Sequence, residues 1–182
     1  MHHRSLRRGL AALLSVGVLL LLAACSGSGG GRSGGDSPTD PGPLIVVISD
    51  AADAPRLVYR LNPTSSGTRV ILDVVAEGVV GLASLDFLVV VPTDLLSLVQ
   101  VAPGPFLQPV DLTVSGAGGA LLILQRTAPG AVDGTGVVAT LTFDALASGV
   151  GRLEIGSLQA FGADDLEIPG IAAVGAEIRI TL

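Results

Sequence analysis

The sequence predicts an all-β domain, a sandwich or a barrel, and three observations point there. Short segments rich in β-branched residues recur through residues 44–182, and Gly, Pro, Asp and Ser punctuate them. No stretch of that region carries the period of a long amphipathic helix. Evenly spaced short strands of this kind build two packed sheets or a closed one.

Residues 69–76 (RVILDVVA), 85–91 (LDFLVVV), 121–126 (LLILQR), 137–145 (VVATLTFDA), 152–155 (RLEI) and 177–182 (EIRITL) read as strands. Alternation is clearest where Val138, Leu141 and Phe143 stand against Thr140, Thr142 and Asp144. It recurs where Ile178, Ile180 and Leu182 oppose Glu177, Arg179 and Thr181. Each of these strands buries one side and wets the other. The run LIVVIS at 44–49 is apolar on both sides, which predicts a central strand of a two-sheet sandwich. Asp133-Gly134-Thr135-Gly136, Ser148-Gly149-Val150-Gly151 and Ser115-Gly116-Ala117-Gly118-Gly119 supply residues that tolerate positive φ, and so predict turns between strands. Only 92–98 (PTDLLSL) reads as briefly helical, with Pro92 placed to start the turn.

Composition narrows the chemistry. Of 182 residues 49% are apolar and 14% charged, the formal charge is −6, and all ten basic residues are Arg. His2 and His3, the two histidines, precede an apolar run near the N-terminus. If that run is removed on export, no His and no Lys remains, and at most one Cys. That excludes His-based nucleophile systems, His/Cys zinc sites, Schiff-base lysines and phosphate-loop lysines. Seven Arg against sixteen acidic residues then leave a charge of −9, which disfavours nucleic acid and anionic lipid as partners.

The N-terminus reads as an address. Arg4, Arg7 and Arg8 precede an apolar stretch from Leu10 to Leu22, followed by Ala23, Ala24 and Cys25. Leu22-Ala23-Ala24-Cys25 resembles the lipobox of bacterial lipoproteins. That resemblance implies a signal peptide over 1–24, removed by cleavage before Cys25, and an acylated Cys25 as lipid anchor. Two or more acyl chains at about 0.8 kcal/mol per buried methylene make desorption slow. The expected location is the cell envelope, lipid-anchored, with the outer membrane preferred where the cell has one, because Ser26 lacks the acidic character that often retains lipoproteins at the inner membrane. Residues 25–43 form the anchor and a linker; SGSGGGRSGGDSPTDPGP offers no side chain to a core. Such a coil reaches about 20 to 25 Å, lifting the domain off the lipid.

The order of segments across 44–182 resembles the cohesin family. The resemblance is carried by residues 81–96 (GLASLDFLVVVPTDLL), 99–107 (VQVAPGPFL), 134–146 (GTGVVATLTFDAL), 148–155 (SGVGRLEI) and the tail over 163–180. Its most specific parts are Gly136-Val137-Val138-Ala139-Thr140-Leu141-Thr142-Phe143 and Pro103-Gly104-Pro105-Phe106-Leu107. It implies a jelly-roll β-sandwich of about nine strands, related in fold to cellulose-binding modules, that docks a calcium-loaded, dockerin-type helical partner in polysaccharide degradation. One departure stands out: Val90-Val91-Pro92 replaces the Tyr-Asp-Pro usual in the family. The matched residues are core and turn positions, so they carry fold and leave the partner-binding residues unassigned.

Asp164-Asp165-Leu166-Glu167 is the densest acidic cluster, a possible set of Ca²⁺ oxygens but more simply a solvated turn. Asp133 beside Gly134 reads as a hairpin residue, and Asp50 and Asp53 as loop carboxylates. No pair of acids is placed by spacing across a cleft, so no catalytic residue, metal or cofactor is assigned. Sugar recognition by stacking needs exposed rings. The chain has no Trp; Phe87 and Phe143 alternate as core residues, leaving Tyr59, Phe106 and Phe161 as candidates for the surface. The expected function is a noncatalytic binding or scaffolding lipoprotein, with a carbohydrate-binding module and a structural envelope lipoprotein as alternatives.

Overall fold

Gly78, Gly81 and Gly134 determine how the chain folds, because each has positive φ in the middle of a long strand (64°, 71° and 104°). The computed structural model describes residues 43–108, 111–117 and 121–182. Nine strands lie among them: β1 (Leu44–Ser49), β2 (Arg56–Leu61), β3 (Arg69–Val90), β4 (Leu96–Pro103), β5 (Asp111–Ala117), β6 (Leu121–Ala145), β7 (Gly149–Phe161), β8 (Ala172–Ala173) and β9 (Ala176–Thr181). No helix occurs among the described residues. The expected signal peptide, the expected anchor Cys25 and all but the last residue of the expected linker lie outside them.

β3 and β6 pair antiparallel along most of their 22 and 25 residues, but the register shifts at several points between Val74 and Ser84. Bulges there bend both strands, so the two ends of the ribbon belong to different layers. The first half of β3 and the second half of β6 lie with β2, β4 and β8. The other halves lie with β5 and β7, and β7 continues to β9 and β1. Side chains satisfy the amides that the bulges release: Gly81 N–H donates to Asp133 Oδ1 at 2.7 Å, and Gly78 N–H to Thr135 Oγ1 at 3.1 Å.

Several expectations are corrected here. The segment Asp133–Gly136 joins no hairpin; it lies inside β6 at the bend. Likewise 69–76 and 85–90 belong to one strand, which ends one residue before the expected Val91, and 121–126 and 137–145 belong to another. Gly149 and Gly151 lie within β7, where Leu95, and at Gly151 also Pro92, occupy the space a Cβ would need. In place of a brief helix over 92–98, residues 92–95 make a single turn, with Leu95 and Leu96 N–H donating to Pro92 O, and β4 begins at Leu96. LIVVIS is an edge strand, paired among the described residues with β9 alone.

Between the layers sits one apolar core. Leu57 and Tyr59 of β2, Val70, Leu72, Val74, Leu85, Phe87 and Val89 of β3, and Leu141 and Phe143 of β6 point into it, joined by Leu153, Ile178 and Ile180. Burying each such side chain contributes about 1.5–3 kcal/mol. Phe106 packs on the rim and occupies the place where a Cβ on Gly136 would stand.

Candidate interaction face

Period-two alternation along the second half of β3 sends Leu85, Phe87 and Val89 into the core and turns Ser84, Asp86, Leu88 and Val90 outward. Strand register then extends these positions into rows. Asp86 lies opposite Gln125 of β6 and Gln159 of β7, and Gln125 lies opposite Thr113 of β5. Thr113–Gln125–Asp86–Gln159 is therefore a polar row running across four strands. Beside it run Ser115, Ile123 and Leu88, and on the other side Asp111, Thr127, Ser84 and Phe161. Gly156 lies against Leu88, where a Cβ would meet Leu88 Cδ2 at 2.8 Å. Three strand spacings make this face about 14 Å wide. Thr113, Ser115, Ser157 and Gln159 are exposed on it.

On the outer face of the opposite layer, charges are locked to one another. Arg56 lies in register with Glu77 and Arg60 with Asp73. Arg56 Nε donates to Glu77 Oε2 at 2.6 Å, and Arg60 Nη2 donates to Glu77 Oε1. Glu77 is only 7% exposed. Burial pushes its carboxyl up, yet the hydrogen bonds and charges of Arg60 and Arg56 outweigh that and hold it below the usual range. Asp73 accepts from Asn62 Nδ2 and Thr140 Oγ1, each at 2.8 Å. A cleft of about 370 Å³ opens beside this network, lined by Ser49, Asp50, Tyr59, Arg60 and Glu77 among others. Ser49 Oγ already donates to Tyr59 O at 2.6 Å, and Asp50 pairs with Arg152.

The acidic residues singled out by sequence are not brought together. Asp164 and Asp165 sit in a tight turn where Leu166 N–H donates to Asp164 Oδ1 at 3.3 Å and Asp165 takes a φ of 59°. The carboxylate thus serves the turn. Asp133 ties β6 to β3, a correction of its hairpin reading, and Asp50 binds Arg152 from the end of β1. Among the described residues no group of three or more His, Cys, Asp or Glu is placed to hold a metal ion.

The aromatic candidates are corrected too. Tyr59 is 1% exposed, and its hydroxyl donates to Glu154 O at 3.1 Å. Burial, then the nearby Glu154 charge, push its ionisation well up, so it stays a donor. Phe106 and Phe161 are partly covered. Sequence reasoning missed the polar row because Asp86 and its register partners Gln125 and Gln159 lie far apart in the chain and leave no local signal; only the outward turn of Asp86, between Leu85 and Phe87, was legible.

No protein-family model matches the sequence, and no curated protein matches it. Solved structures do match in fold. A non-cellulosomal cohesin from the archaeon Archaeoglobus fulgidus is 15% identical with a TM-score of 0.55, over 72% of this chain and 88% of that one. The cohesin module of a family 33 glycoside hydrolase from Clostridium perfringens is 9% identical with a TM-score of 0.58, over 74% and 97%. A type I cohesin from Clostridium thermocellum, solved in complex with a dockerin, is 14% identical with a TM-score of 0.57, over 66% and 95%. The bent β3–β6 ribbon, the nine strands and the single core between two layers are thus those of a cohesin-like β-sandwich.

Proposed function

We propose that this chain is a noncatalytic docking module, held outside the cell by a lipid on Cys25, which binds a dockerin-type protein across the face formed by β5, β6, β3 and β7. The observation that carries this reading is the row Thr113–Gln125–Asp86–Gln159 on a cohesin-like sandwich. Its support from comparison is that similar folds include cohesins in complex with dockerins. Physically, the row places hydrogen-bonding positions across the middle of a sheet whose neighbouring row holds small and apolar residues. That mixture of a polar register and apolar contact suits protein recognition.

Sugar stacking is disfavoured by the same geometry. Tyr59, Phe87 and Phe143 are buried and Phe106 and Phe161 partly covered, so no described aromatic ring is exposed. Residues 26–182 should bind purified dockerin modules of the same organism's exported proteins in a calorimetric titration, and should stay in the supernatant over insoluble polysaccharide. Retention on the polysaccharide without dockerin binding would reverse the assignment. The anchor has its own test: radioactive palmitate should label the full chain and not Cys25→Ala, and equal labelling of both would exclude acylation at Cys25.

A further inference from the structure

We propose that β1 is a self-association seam through which two copies of this chain pair edge to edge. Asp50 N–H donates to Gly175 O at 3.0 Å, next to the register pair Ser49 and Ala176. Antiparallel alternation then directs the backbone groups of Leu44, Val46 and Ile48 toward β9, and those of Ile45, Val47 and Ser49 toward the other edge. Ser49 lies against β2, its hydroxyl bonded to Tyr59 O. Ile45 and Val47 remain on an edge for which the described residues supply no strand partner.

Natural edge strands are usually blunted by charge, proline or a bulge. β1 has none of these: its six residues are LIVVIS, in unbroken register with β9. Its outer side is also bare, with Leu44 60%, Val46 36% and Ile48 47% exposed. The row through Val46 continues across Arg179 to Val150, itself 64% exposed.

A second copy fits this edge better than a charged partner, because the edge complements itself. A twofold axis at Val46 pairs Ile45 of each copy with Val47 of the other, closing about four backbone hydrogen bonds. On the outer side Val46 meets its own mate, and Leu44 meets Ile48, so the exposed apolar row is covered by its own image. No charge stands at the seam. Arg179 and its mate are about 14 Å apart across three strand spacings, and each is paired with its own Glu177 at 2.5 Å. A one-strand seam buries less than the roughly 1,200 Å² of stable complexes, so association is reversible and concentration-dependent. It uses a strand that the docking face does not.

The test uses the full chain in detergent with Cys25→Ser. Adding Val46→Cys places two thiols in a non-hydrogen-bonded pair, whose Cα separation of about 4.5 Å permits a disulfide. Mild oxidation should give a covalent dimer for Val46→Cys and little for Thr113→Cys, which is exposed on β5. Equal cross-linking of both would overturn the seam. In sedimentation equilibrium with density-matched detergent, the Cys25→Ser chain should approach twice the monomer mass as concentration rises, and Val46→Lys should remain monomeric. A monomer throughout for Cys25→Ser, or an unchanged dimer for Val46→Lys, would also overturn it.

Discussion

Phe106 fills the space where a Cβ on Gly136 would stand, and so joins the two segments that most resemble cohesins. Pro103-Gly104-Pro105-Phe106-Leu107 and the strand beginning at Gly136 are one contact. Gly104 N–H donates to Val138 O and Phe106 N–H to Val137 O, both at 3.0 Å, so backbone bonds hold the ring in place. A Gly136→Ala substitution must displace that ring. Overpacking of this kind costs about 1–3 kcal/mol, which thermal unfolding should register as a lowered midpoint; an unchanged midpoint would mean that the ring moves freely.

Tyr59 links the layers. Its hydroxyl, buried in the core, donates to Glu154 O on β7, 95 residues away. Tyr59→Phe keeps the packing but removes the donor from a site shielded from water. The expected loss is about 1–2 kcal/mol, measurable by urea denaturation with an unchanged slope.

Glu77 makes stability depend on acid. Its folded pKa lies below the unfolded value, so the unfolded chain binds the proton more readily and stability rises with pH. The contribution is fully present above the unfolded carboxylate range, about 4.3, and is lost as pH falls through the lower folded value. Glu77→Gln should therefore cost about 1–2 kcal/mol at neutral pH, from charge-assisted bonds discounted for the exposure of Arg60. The difference from the parent should shrink below about pH 4. A gap of constant size down to pH 2 would show that packing, rather than charge, gives Glu77 its role.

Much of the fold was legible for a local reason. In 137–145 and 177–182 one side is buried and the other wet, so alternation appears in the letters themselves. The bends were not legible, because Gly78, Gly81 and Gly134 spell a bulge with the same residue type that spells a hairpin. LIVVIS misled for a related reason: an edge strand with a bare apolar side has the composition of a central strand. The candidate face was legible only in part. Asp86 shows its outward turn locally, whereas Thr113, Gln125 and Gln159 join it through long-range register. Arg152 and Asp50, 102 residues apart, were hidden in the same way.

The most direct test of the docking account is a calorimetric titration of one dockerin module into residues 26–182 and into three variants. Gln159→Arg and Thr113→Arg change exposed positions on the proposed face and should each weaken binding about tenfold or more, as central interface substitutions do. Arg60→Ala, on the opposite layer, should stay within about threefold of the parent, the scatter expected away from an interface. Loss of binding in Arg60→Ala with full binding in both face variants would contradict the account, as would a parent that binds no dockerin at all.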